Sequence, residues 1–78
     1  VKLPRDWGGE EVIRCLARFG YRVTRQTGAH VRLTTALKGE HHLTIPWHKP
    51  LKVGTLRNIL GEAAHHLDLK IADILESE

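Results

Sequence analysis

Hydrophobic residues in this chain recur with two different periods, and the change of period marks its elements. Val12, Ile13, Leu16 and Phe19 fall at helical spacing. Asp6 is the predicted cap of this first helix, Glu10 and Glu11 lie in its first turn near the positive end of the dipole, and Gly20 stops it. The period then drops to two. Tyr21 to Gln26 reads as a strand, Thr27-Gly28-Ala29 as a short turn, and His30 to Thr35 as a returning strand. After a Lys38-Gly39-Glu40 loop, His41 to Ile45 forms a third strand, closed by Pro46, which cannot donate to a ladder. Trp47 to Lys52 is irregular. Helical spacing resumes from about Val53 to Ala64, with a stripe of Val53, Leu56, Leu60 and Ala63 and with Ile59 beside it. Asp68 is the predicted cap of a short last helix carrying Ile71, Ile74 and Leu75.

The expected fold class is therefore α+β: residues 1–78 as one domain of α-β-β-β-α order with a short extra C-terminal helix. The helices should cover one face of a three-stranded antiparallel sheet. Strand parity sends Tyr21, Val23, Val31, Leu33, Leu43 and Ile45 towards them. It leaves Arg22, Thr24, Gln26, His30, Arg32, Thr34, His42 and Thr44 on the open face, with Arg25 on the opposite side near the strand end.

Charge sharpens that picture. Residues 12–58 carry nine Lys/Arg against the single acid Glu40, while residues 59–78 carry Lys70 against five acids. A basic body with an acidic tail points to a polyanion partner, most often nucleic acid. No helix pairs a strong apolar face with a row of lysines, which argues against a membrane surface. No apolar run approaches the roughly 18 residues of a membrane span, and the start lacks a signal-peptide pattern. The lone Cys15 allows no internal disulfide and fits a reducing compartment. The expected location is cytoplasmic.

His30 follows a glycine turn at the start of a strand, among arginines. An imidazole takes and gives protons near neutrality, as metal-free cleavage of a phosphodiester requires. Arg32, two residues on, points the same way and can bind the phosphate. Arg25 can do so too, but parity sets it apart. Trp47 can stack on a base or cover a helix edge. The pairs His41-His42 and His65-His66 do not chelate naturally, because neighbours diverge on strands and helices alike. No metal and no cofactor is expected.

Four segments in order resemble the HicA (YcfA-like) family of toxins from bacterial toxin–antitoxin systems. These are the helix end Gly20-Tyr21, the strand motif Gly28-Ala29-His30, the segment Ile45-Pro46-Trp47-His48, and the helix Gly54-Thr55-Leu56-Arg57-Asn58-Ile59-Leu60. The likeness spans nearly the whole chain. It implies a fold like that of double-stranded-RNA-binding domains and metal-independent cleavage of mRNA by an endoribonuclease (mRNA interferase). It makes His30 the catalytic residue and implies a HicB-like antitoxin as partner. Ala29 departs from the family's serine and lacks a hydroxyl able to hydrogen-bond a phosphate.

Gly28, Arg22, Arg32, Lys49 and Lys52 are the expected RNA contacts. His48 is a candidate for the second proton transfer. Two rival readings are a non-catalytic RNA-binding module and an antitoxin-binding protein with weakened nuclease activity. A duplex binder normally carries a lysine cluster at the start of its second helix. Lys49, Lys52 and Arg57 make a thin one.

Overall fold

The structure, a computed structural model, describes residues 2–76. Helix α1 spans Gly9–Ala17, strands β1, β2 and β3 span Arg22–Thr27, His30–Thr35 and His41–Pro46, and helices α2 and α3 span Val53–Leu67 and Ile71–Glu76. The strands form one antiparallel meander in the order β1-β2-β3. Burial alternates along β2 and β3: Val31, Leu33, Thr35, Leu43 and Ile45 are covered, and the residues between them face outward. The helices thus lie on one face, in the α-β-β-β-α layout of double-stranded-RNA-binding domains. Leu16, Leu56, Leu60, Ala63 and Ile74 meet the sheet's buried side chains in a single apolar cluster.

The start of α1 differs from expectation. Its N-cap is Gly8 instead of Asp6, and Glu11 Oε1 accepts the Gly8 N–H at 2.8 Å. The cause is close approach. A Cβ on Gly9 would sit 2.8 Å from the Pro46 carbonyl oxygen, and one on Gly8 would sit 2.6 Å from Lys49 Cβ. The helix therefore begins where the chain can press against the end of β3, and Gly9 N–H donates to the His48 carbonyl there at 3.2 Å. At the other end Gly20, with φ +82°, terminates α1 as expected.

Three further expectations are corrected. Val23 has the parity of the apolar set, yet it is 51% exposed, because β1 is an edge strand that the helices only partly cover. Val53 opens α2 at its exposed end and leaves the stripe to Leu56, Ile59, Leu60, Ala63, Ala64 and Leu67. Asp68 does not start the last helix. It ends α2 in the left-handed conformation (φ 60°, ψ 44°), its N–H reaching the Ala64 and His65 carbonyls. The start of α3 is held instead by Asp73, whose Oδ2 accepts the Lys70 N–H at 2.9 Å.

A polar chain closes the end of the sheet away from the Gly28 turn. The Tyr21 hydroxyl lies 2.7 Å from His41 Nδ1, and the His41 ring stacks on His66 at 4.4 Å between centroids. His66 Nε2 faces the carbonyls of Leu37 and Gly39, so it carries the proton and donates to them. Burial, and then the Glu62 charge, push the Tyr21 phenol up to about 12, so it stays protonated and donates to His41.

Burial and the facing His66 hold His41 below the usual imidazole range, with His42 and His65 adding to this and Glu62 opposing it. The unfolded chain therefore binds the extra proton first, and stability should decline as pH falls below about 6.5. Thermal unfolding followed from pH 7 to pH 5 should show this decline, and His66→Gln, which removes the facing ring, should lessen it. An unchanged midpoint across that window would contradict it.

Candidate phosphodiester-binding face

The turn between β1 and β2 is the two-residue Gly28-Ala29. Gly28 has φ +57° and Ala29 does not have positive φ, the arrangement of a type II′ hairpin turn. A Cβ on Gly28 would meet nothing within 4 Å, so the requirement there is conformational and the turn stands open to solvent. The Ala29 carbonyl accepts the Trp47 N–H at 2.6 Å, which ties the end of β3 to the turn. His30, first in β2, is thereby fixed at the rim of the open face between Thr27 on β1 and Pro46 on β3.

Counting outward from the turn, Thr27 pairs with His30, Gln26 with Val31 and Arg25 with Arg32. The ladder then slips between Val23 and Arg25, where Thr24 is the extra residue of a β-bulge. The slip corrects the expected parity. Arg25 shares the open face with Arg32, and Gln26 pairs instead with buried Val31. Parity counted from Tyr21 misses this, because a bulge leaves no mark in the hydrophobic pattern. Counting back from the glycine turn was the signal that would have found it.

Arg25, Thr27, His30, Arg32 and Thr44 line a shallow concavity of about 210 Å³. Its lining holds two guanidiniums, an imidazole and two hydroxyls, and no carboxylate. Like charges directly opposite one another on a sheet are destabilising. Neither arginine is ion-paired among the described residues. Uncompensated repulsion on this face is what a bound anion would relieve. Thr27 and Arg25 are the members that sequence reasoning did not bring to His30, whereas parity already puts Thr44 on its face.

The other candidates lie elsewhere. Arg22 is on the open face, one row beyond the concavity and opposite Thr34. His48, Lys49 and Trp47 line a separate depression of about 220 Å³ with Gly8, Gly9, Glu10 and Glu11. There Lys49 Nζ pairs with Glu11 Oε2 at 2.8 Å. The ammonium and the Gly8 N–H hold the Glu11 carboxyl down to about 2, and the Lys49 amine is raised in turn. His48 thus does not share the concavity with His30. Lys52 caps α2 through its backbone, its carbonyl accepting the Leu56 N–H at 2.9 Å, and belongs to neither depression.

Cys15 is buried, and burial pushes its thiol up, so it is inert as a nucleophile. Among the described residues, no three His, Cys, Asp or Glu side chains converge as metal ligands, and no helix is long and apolar enough to cross a membrane.

Comparison with protein families matches residues 9–65 to a family described as the HicA toxin of bacterial toxin-antitoxin systems. Comparison with curated proteins and with solved structures gives no match. The matched span runs from the first residue of α1 almost to the end of α2 and so takes in every residue of the His30 concavity. With most of its length accounted for in this way, the chain belongs to the HicA toxin family of bacterial toxin–antitoxin systems.

Proposed function

We propose that this toxin is a metal-independent endoribonuclease that cleaves mRNA at the open face, with His30 as the proton-transfer residue. The observation that carries the reading is one imidazole beside two uncompensated guanidiniums in a concavity lined by no acid. In the proposed reaction the ribose 2′-oxygen attacks phosphorus and the 5′-oxygen leaves. His30 removes the 2′-hydroxyl proton or delivers one to the leaving oxygen, and water serves as the other proton carrier. Arg25 and Arg32, one row along the face, bind the neighbouring phosphate and place positive charge beside the reacting one, which offsets the charge that grows on its oxygens. Gly28 leaves the approach to the turn open, and Arg22 extends the cationic surface beyond the arginine pair. Lys49 and Lys52 lie outside the concavity and act on more distant parts of the RNA.

Membership of a toxin–antitoxin family implies an antitoxin partner. A HicB-like antitoxin covering His30 is the simplest neutralisation, because it blocks the concavity directly.

The test is incubation of the protein with long single-stranded RNA, with and without chelator and with and without such an antitoxin. Cleavage should persist in chelator and stop with the antitoxin. In the same system Arg25→Ala and Arg32→Ala should weaken RNA binding alike. Each should flatten the slope of log affinity against log salt by about 0.7, the value for one single-strand phosphate contact. Both variants should hold or gain stability, since each removes the repulsion across the β1–β2 pair. A salt slope unchanged in Arg25→Ala would remove that residue from the site.

A further inference from the structure

The open face continues past the concavity, and its chemistry changes along the way. Three rows cross the sheet: Thr27, His30 and Pro46; Arg25, Arg32 and Thr44; and Arg22, Thr34 and His42. The third row holds a fixed hydrogen-bonded chain. Thr24 Oγ1 lies 2.8 Å from Thr34 Oγ1, Thr34 Oγ1 lies 2.8 Å from His42 Nδ1, and His42 Nε2 lies 2.8 Å from Glu40 Oε2. In the neutral ring the carboxylate takes the Nε2–H, which leaves Nδ1 to accept from the Thr34 hydroxyl. One tautomer is thereby fixed.

The spacing of the rows is that of a nucleic-acid strand. Successive rows are two residues apart on β2, which is six backbone bonds and about 6.6 Å. One nucleotide also spans six backbone bonds from phosphorus to phosphorus, so an extended strand has a similar reach per nucleotide. A single strand running along β2 therefore advances one nucleotide per row. With the reacting phosphodiester at His30 and its neighbour at the arginine pair, the next nucleotide reaches Thr34 and His42, about 13 Å from His30.

That third row is ill suited to phosphate. Glu40 is 72% exposed there and repels an anion, while a carboxylate accepts well from the N–H groups of a base. Arg22, opposite Thr34, offers a flat guanidinium on which a base can stack.

We propose that Glu40, held by His42, whose ring Thr34 fixes in turn, reads a base two nucleotides from the bond at His30, with Arg22 at the other end of the row as the stacking surface. The subsite rests on the assignment of the open face to RNA. Guanine should bind best, because its N1–H and N2–H₂ donors lie side by side. Uracil should bind worst, because its one N–H lies between two carbonyls that face the carboxylate. The two halves of the face thus divide the work between phosphate and base.

The experiment uses the His30→Ala protein, so that RNA is bound and not consumed, with a randomised single-stranded RNA pool whose bound fraction is sequenced. One position should be enriched in guanine over uracil by about tenfold, the lower end for a carboxylate–base contact. Adding Glu40→Gln should flatten that preference, because the amide loses the charge that favours N–H donors and excludes carbonyls. A flat profile in the starting protein, or a preference that survives Glu40→Gln, overturns the subsite. Because the readout is binding, failure of the cleavage reading leaves this result interpretable, and a protein that binds no RNA at all overturns both.

Discussion

Replacing His30 with alanine should lower RNA cleavage by about 10²- to 10⁴-fold, the usual contribution of a positioned general acid or base. The fold should survive. His30 is exposed at the rim of the open face, with its parity directed away from the apolar cluster, so truncation should change stability by no more than about 0.5 kcal/mol. Growth inhibition by the expressed toxin should disappear with the activity. The control is His42→Ala on the same face, about 13 Å away by strand rise. It should affect binding of particular sequences and have a smaller effect on cleavage. Cleavage by His30→Ala at the parent rate would transfer the face to a binding role with no chemistry of its own.

Leu33→Ala should have the largest effect on stability. Leu33 sits on the central strand at 0% exposure, between Val23 on β1 and Leu43 on β3. Truncating a fully buried leucine typically costs about 2–5 kcal/mol, depending on how far the site collapses. A chain of this size holds only roughly 4–12 kcal/mol in total. Urea denaturation should therefore show Leu33→Ala losing a large part of its stability. Val23→Ala, its cross-strand neighbour of the same parity, should lose less than about 1 kcal/mol, because that side chain is half in water. Equal losses would mean that the helical layer covers β1 as fully as β2.

The contrast between Leu33 and Val23 also shows where the sequence was legible. Strands β2 and β3 are covered on one face and open on the other, so their alternation reads directly, and His30 to Thr35 begins and ends where the pattern predicts. Helix α2 is legible for the same reason, although it runs on to Leu67, because the left-handed stop at Asp68 depends on backbone geometry that an aspartate does not announce. The misreading at α1 has a tertiary cause: Gly8 caps the helix because β3 and the following loop press against it, and no local pattern of residues records that contact. At the candidate site, His30, Arg32 and the glycine turn stand out by type and spacing. Arg25 was hidden by one extra residue in β1, and Thr27 and Thr44 became part of the concavity only once the register was known.

That extra residue has a consequence for how the chain can change by descent. Thr24 is unpaired in the ladder, with Val23 anchored opposite Leu33 on one side of it and Arg25 opposite Arg32 on the other. Loss of Thr24 would leave both anchors at their present partners and close the strand into a regular ladder. Loss of a residue between Arg25 and Thr27 would instead drag an arginine off the concavity. Relatives can therefore differ in length by one residue at position 24 while keeping both the apolar layer and the arginine pair, and length variation elsewhere in β1 should be rare.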